Sequence, residues 1–297
     1  ALSASDVKEL SLGTKPEPMT ADEIGDAVEA FAAATDRCRQ AGFDGVQLHA
    51  AHGYLISQFL TPYTNRRQDA YGGSFENRLR LLKEIYRACR ARVGPDFPII
   101  MKLNGADSLP LRRGLKPDEL VEIAVAMEGE GLDAVEVSIG HYESGLPVVR
   151  GRFWRFFRDS LSDGTADQLP PLRRWAMRLG WPLAAVLFNL LWWHYQGFNL
   201  KYARRFKERL KMPVISVGGF HSRRAMEEAI TGRLCDAIAC GRSMIADPFL
   251  YRHLRSGDSG PRCVYCNACI ARVGGMAVDC YHPEVRAEKD RLLATSA

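Results

Sequence analysis

Residues 20–41 carry apolar side chains at helical spacing behind Thr20 and Glu23, which predicts a helix opened by a capping box. GFDGVQLH follows. In it Val46 and Leu48 alternate with Gln47 and His49 after the punctuating Gly42 and Gly45, the pattern of a short strand. The two periods then take turns along the chain. Helices are expected over residues 77–93, 117–130, 201–210 and 222–231, and strands over 98–104, 134–139, 213–217 and 237–240. Strand and helix in succession mark an α/β fold with parallel strands. Only five strands are legible, fewer than the eight that close a (β/α)8 barrel.

With 297 residues, 46% hydrophobic and 25% charged, the chain holds enough apolar material for one large domain. The net charge of +5 is mild and its basic residues are scattered, so no nucleic-acid partner is implied. The opening ALSASDVKELSLGT lacks the charged-then-apolar order of a signal peptide, and the eight cysteines are partly clustered. A reducing, cytoplasmic setting is expected.

His49 and His52 stand at the carboxyl end of the first predicted strand, where a βα loop of a parallel sheet or barrel carries its chemistry. Tyr54 follows. A lone histidine is more often a satisfied core residue, but two histidines and a tyrosine within six positions form an anion and proton-transfer site. Asn65, Arg66, Asp69 and YGGSFENR extend the pattern.

On these residues, GFDGVQLHAAHGYLISQFLTPYTNRRQDAYGGSFENR, the chain resembles the old yellow enzyme family of NADH:flavin oxidoreductases, especially its 2,4-dienoyl-CoA-reductase-like branch. The resemblance runs over residues 20–283. It implies a (β/α)8 TIM barrel with FMN as cofactor and NAD(P)H as reductant. His49 and His52 would hydrogen-bond the carbonyl oxygen of an enone or dienoyl-type acceptor, and Tyr54 would protonate its alkene carbon. Imidazole donors of that kind stabilise the oxyanion that develops as hydride arrives. Lys102 would lie beside flavin N1 and O2, where a fixed cation favours the anionic reduced ring. Its alternatives are a snorkelling stem or an ordinary ion pair. Gly218 and Gly219, with Gly241 and Arg242, match the phosphate loops after barrel strands seven and eight. In the family three further strands precede the segment matching residue 20. The expected fold is therefore an incomplete barrel, strands four to eight, read as a fragment or a truncated gene model, or as a shortened protein completed by a partner.

Residues 1–257 are expected to form this barrel domain and 258–297 a cysteine-rich extension. Cys263, Cys266, Cys269 and Cys280, spaced CxxCxxC plus one, suit a tetrathiolate [4Fe-4S] cluster or zinc. Two of the spacings are one residue shorter than in the family's quartet, and reduced buried thiols are the third reading. Cys38, Cys89, Cys235 and Cys240 read as small core hydrophobes.

The remaining feature is an insertion at 141–199 with RGRFWRFFRD and LRRWAMRLGWPLAAVLFNLLWWHYQGF. Its apolar run, residues 179–193, falls short of the roughly 20 that span a bilayer, and Asn189 interrupts it. Two readings stand: a lid or subunit-contact helix, as in a homo-oligomer, or a segment lying in a membrane interface, its arginines beside tryptophans. His141, His194, His221, His253 and His282 show no partner pattern. The functional expectation is an FMN-dependent oxidoreductase passing hydride from NAD(P)H to an activated alkene. The contrasting readings are a lyase with a Schiff base on Lys102 and a non-enzymatic membrane-surface or metal-binding module.

Overall fold

Thr20 caps the first long helix as its sequence predicts: its Oγ1 accepts the Glu23 N–H at 3.2 Å, and the Glu23 carboxylate accepts the Thr20 N–H at 2.8 Å. The computed structural model describes residues 1–10, 13–109, 114–144, 149–257, 259–273 and 275–296. They form two compact units. One comprises Ala1–Gly145, Asn199–Ser216 and Ile230–Ala237, the other Leu146–Phe198, Val217–Ala229 and Ile238–Ala297.

In the first unit a short parallel pair, β1 (Leu2–Ser3) and β2 (Glu17–Pro18), precedes α1 (Ala21–Gln40), β3 (Val46–His49), α2 (Leu55–Leu60), α3 (Phe75–Val93), β4 (Ile99–Asn104), α4 (Pro117–Gly129) and β5 (Ala134–Ser138). The second unit opens with α5 (Phe153–Asp163) and α6 (Pro171–Leu191). The chain returns to the first unit with α7 (Leu200–Lys207), and β6 (Val214–Val217) and β7 (Ala237–Ala239) begin there too. The five-stranded sheet has the order β3-β4-β5-β6-β7, with the pairs from β3 to β6 parallel. All five predicted strands and all five predicted helices are present, the latter including α8 (Arg223–Thr231). The helix expected at 77–93 starts two residues early, because Ser74 caps it by accepting the Asn77 N–H at 3.2 Å. The helix α2 escaped the sequence pattern: six residues, mostly buried, show no amphipathic period.

The sheet is two-faced. Ile99, Met101, Leu103, Val135, Val137 and Val214 alternate onto one face and are fully buried, with α4 packed against β4. The α1 and α3 helices pair alongside, where Thr35 donates to the buried Cys89 Sγ at 3.2 Å. The opposite face carries Gln47, His49, Lys102, Asn104 and Glu136.

In the second unit α8 is followed by α9 (Arg242–Ala246), α10 (Leu250–Ser256), α11 (Ala268–Ala271) and α12 (Pro283–Ser296). Its aromatic core gathers Phe153 and Phe157 of α5 against Ala185, Trp181 and Phe188 of α6. Asn189 Oδ1 accepts the Phe153 N–H at 2.8 Å, so the polar residue that interrupts the apolar run holds the first turn of α5. Residues 145–148 of the predicted insertion, and residue 258 at the start of the predicted extension, lie outside the described residues. Among the described residues no helix is long and apolar enough to cross a membrane.

Candidate functional site

Strand register builds the first-unit site. His49 on β3 pairs with Lys102 on β4, and Lys102 pairs with Glu136 on β5, so the three side chains form a row across one face. Gln47 lies two residues back from His49, and Asn104 two residues on from Lys102. Lys102 Nζ sits 2.9 Å from Glu136 Oε1, and Gln47 Nε2 donates to Glu136 Oε2 at 2.8 Å. His49 and Lys102 stand out in the sequence, whereas Glu136 and Gln47 do not. The signal of Glu136 was present in AVEVS, where a glutamate interrupts an otherwise apolar strand.

The loop after β3 turns sharply. His52 has φ 62° and Gly53 φ 79°, two successive left-handed residues, with the His52 N–H donating to Asn104 Oδ1 at 3.3 Å. His49 and Tyr54 meet edge to face with ring centroids 4.8 Å apart, and His49 and His52 at 5.4 Å. The three predicted residues are thus brought together. Tyr54 is half exposed and borders a cavity of about 250 Å³ lined also by Gly53, Gln58, Thr64, His141 and Glu143. His141, given no role from sequence, is buried there with its ring 5.8 Å from that of Tyr63, whose hydroxyl donates to Glu143 at 2.7 Å. Asn65 and Asp69 shape the loop: Asn65 donates to the carbonyls of Phe59 and Tyr71, and Asp69 binds Arg67 and the Tyr71 N–H. Arg66 gives its N–H to Ser5 Oγ at 2.8 Å.

Both site histidines are held neutral. Burial pushes the His52 imidazole down to about 4, its neighbours His49 and Lys102 disfavouring a second positive charge, and burial with Lys102 also lowers His49. His49 Nδ1 accepts the Ala51 N–H at 3.3 Å, which leaves the ring proton of the neutral form on Nε2. His52 is bonded to the Gly140 backbone. The ready donor of the pair is therefore His49.

The second unit holds the predicted glycine loops. Gly219 has φ 73°, and its carbonyl accepts from Tyr265 at 2.9 Å and faces His194 Nε2 at 2.9 Å. His194 stacks on Tyr265 with centroids 3.5 Å apart, and burial pushes His194 down to about 4. Gly241 precedes α9. The partly buried Arg242 guanidinium donates to the Arg150 carbonyl at 2.8 Å and to Asn267 Oδ1, and lies over the Tyr265 ring. A cavity of about 570 Å³ in this unit is bordered by His221, Arg223, Asp247, His253, Arg262 and Cys263, and by none of the predicted glycines.

The pattern of the NADH:flavin oxidoreductase / NADH oxidase family matches residues 3–158 and 192–259. The chain belongs to this family. It is similar to an NADH oxidase of Thermoanaerobacter brockii, 34% identical over 266 residues that make up 89% of this chain and 34% of that protein. A 2-naphthoyl-CoA reductase in complex with 2-naphthoyl-CoA superposes with a TM-score of 0.69 at 27% identity, over 97% of this chain and 38% of that one. An old yellow enzyme homologue from Zymomonas mobilis gives a TM-score of 0.62 at 21% identity, over 97% and 67%, and shows the fold. The chain thus spans about a third of the length of the NADH oxidase it matches. The fold is the α/β TIM-barrel type of the old yellow enzyme family, of which the described residues supply five strands.

Within this flavin-oxidoreductase frame the residues can be tested against FMN. Lys102, in a polar row across one face of the sheet, suits the electron-rich end of a flavin ring. At the phosphate loops the backbone is shaped by glycine, and a Cβ on Gly219 would meet His194 Nε2 at 2.6 Å. Arg242 is committed to its own chain, so the donors these loops offer an anion are backbone N–H groups. The C-terminal cysteines lie close enough for Cys266 to act on the thiols of Cys263, Cys269 and Cys280. Burial pushes the Cys263 thiol up to about 11 and raises Cys269 and Cys280, and Cys263 and Cys280 border one apolar cluster with Ala246 and Val285. Among the described residues no three His, Cys, Asp or Glu side chains are grouped to hold a metal ion. Of the remaining cysteines, Cys89 and Cys235 are buried and Cys38 and Cys240 partly so.

Proposed function

We propose that this chain is the flavin-binding, acceptor-reducing part of an NAD(P)H-dependent ene-reductase. The observation that carries the reading is the row His49–Lys102–Glu136 in register across three parallel strands, with Tyr54 against the His49 ring. FMN, reduced by NAD(P)H, would supply a hydride to the β-carbon of an enone or dienoyl-type acceptor. Every other part belongs to the chain. His49 donates Nε2–H to the acceptor's carbonyl oxygen, with His52 exchanging its backbone bond to join it. Two neutral donors suit an oxyanion that is present only in the transition state. Tyr54, on the wall of the 250 Å³ cavity, gives its phenolic proton to the α-carbon. Lys102 is assigned to the flavin ring, oriented by Glu136, and Gly218, Gly219, Gly241 and Arg242 to the phosphate loops. No step is routed through the cysteine quartet.

The Lys102–Glu136 ion pair argues against the Schiff-base lyase, since it commits the ammonium to a carboxylate on the next strand. Peripheral contact with a membrane surface through residues 150–198 belongs to the proposal but is separate from the chemistry. The deciding experiment reconstitutes the protein with FMN, mixes it anaerobically with NADH or NADPH, and then adds an enone. Bleaching of the flavin followed by reoxidation with stoichiometric alkene reduction is expected. Flavin that bleaches but is not reoxidised by any enone would overturn the acceptor assignment.

A further inference from the structure

Helix α6 is apolar on two opposite sides. Met177, Trp181, Ala184, Ala185, Phe188 and Trp192 form the side turned onto α5. On the other, Leu172, Trp175, Leu179, Leu183, Val186 and Leu190 recur at steps of three and four, and they are 43% to 77% exposed. A helix apolar all round is ordinarily buried, and a continuous outer stripe of this kind marks an interaction surface.

Charge says what would cover it. Residues 150–198 hold seven arginines against three aspartates, a net of +4 in a chain whose total is +5, and they hold all five tryptophans. The α6 helix carries Arg173, Arg174 and Arg178 and no acidic residue. Of the aspartates, Asp159 is buried between Arg158 and Arg272, and Asp167 is paired with Arg174. A second copy laid on the stripe would bring arginines and no carboxylates, the reverse of the charge pairing that flanks a coiled-coil seam. The family pattern passes over residues 159–191, so the stripe lies outside what the shared fold requires.

We propose that the outer face of α6 docks the protein in plane on an anionic lipid surface. Leu179, Leu183 and Leu190 enter the boundary between headgroups and acyl chains, Trp175 and the exposed Trp193 sit at headgroup level, and Arg173 and Arg178 meet the phosphates. This rests on the peripheral-contact part of the proposed function and not on the flavin chemistry.

The test is sedimentation of the full chain with vesicles of phosphatidylcholine alone or mixed with phosphatidylglycerol. Binding is expected to the mixed vesicles, to weaken at least tenfold without phosphatidylglycerol or at high salt, and to weaken roughly tenfold or more in the double variant Leu179→Gln, Leu183→Gln. Unchanged far-UV circular dichroism and FMN content would show that the variant is folded. No binding, or equal binding to both vesicle types, overturns the proposal. So does a wild-type dimer that the same double variant dissociates, which would assign the stripe to a second copy. Loss of flavin binding with vesicle binding intact would count against the oxidoreductase reading and leave this one standing.

Discussion

Gly53 and His141 fit only because Gly53 has no side chain: a Cβ on Gly53 would lie 2.6 Å from His141 Nε2. The same glycine has φ 79° and follows His52 at φ 62°, so the turn that presents His52 and Tyr54 has no room for a methyl group and is left-handed twice over. His141 in turn is fixed by its own loop, its Nδ1 accepting the Glu143 N–H at 3.2 Å.

Gly53→Ala should therefore destabilise the protein by about 2–4 kcal/mol, the sum of a left-handed alanine and an overpacked contact. Adding His141→Ala should relieve the contact and leave the backbone cost. Urea unfolding of both single variants and the double variant measures the coupling, and strictly additive losses would show that the close approach carries none of the effect.

Glu136→Gln keeps the shape of the row and removes the charge facing Lys102. With Lys102 only partly exposed, the unmatched ammonium should cost on the order of 1–3 kcal/mol. Lys102→Met in the same background should recover part of that loss, because no unpaired charge then remains. A double variant less stable than Glu136→Gln alone would contradict the pairing role.

The parallel framework was legible because its strands alternate and its helices announce their caps, as at Thr20 and Ser74. His49, His52 and Tyr54 were legible because a single turn carries all three. Glu136 and Gln47 were not, since their meaning lies in register between strands that are far apart in sequence. The Gly219 loop shows the reverse case. The sequence marked the glycine, yet its crowding by His194 and the bond from Tyr265 to its carbonyl come from distant parts of the chain. No local pattern encodes them.

Tyr54→Phe should slow alkene reduction by about 10²-fold or more while leaving flavin reduction by NAD(P)H nearly intact. Stopped-flow measurement of the two half-reactions separates them. The phenyl ring keeps the edge contact with His49, so the loop should hold its shape. Equal slowing of both half-reactions would remove Tyr54 from the role of general acid.

The last expectation concerns acid. The His52 imidazole titrates at about 4 in the folded chain against 6.5 for an unperturbed ring. Between those values the unfolded chain binds a proton that the folded chain refuses, so stability rises with pH across the window. The stabilisation relative to acid is complete above about 6.5, declines as the pH falls, and is gone once the pH has passed through the folded value. His49 and His141 are shifted the same way by burial and should add to the slope. His52→Asn removes one titrating group and suits the position, because asparagine tolerates a left-handed backbone better than most residues. The variant should start less stable at pH 7.5 but lose less on acidification, the pH-dependent part shrinking by at most about 3 kcal/mol. Urea midpoints taken at half-unit steps from pH 7.5 to 4 provide the comparison. Parallel curves for the two proteins would show that the His52 ring titrates as freely in the folded chain as in the unfolded one.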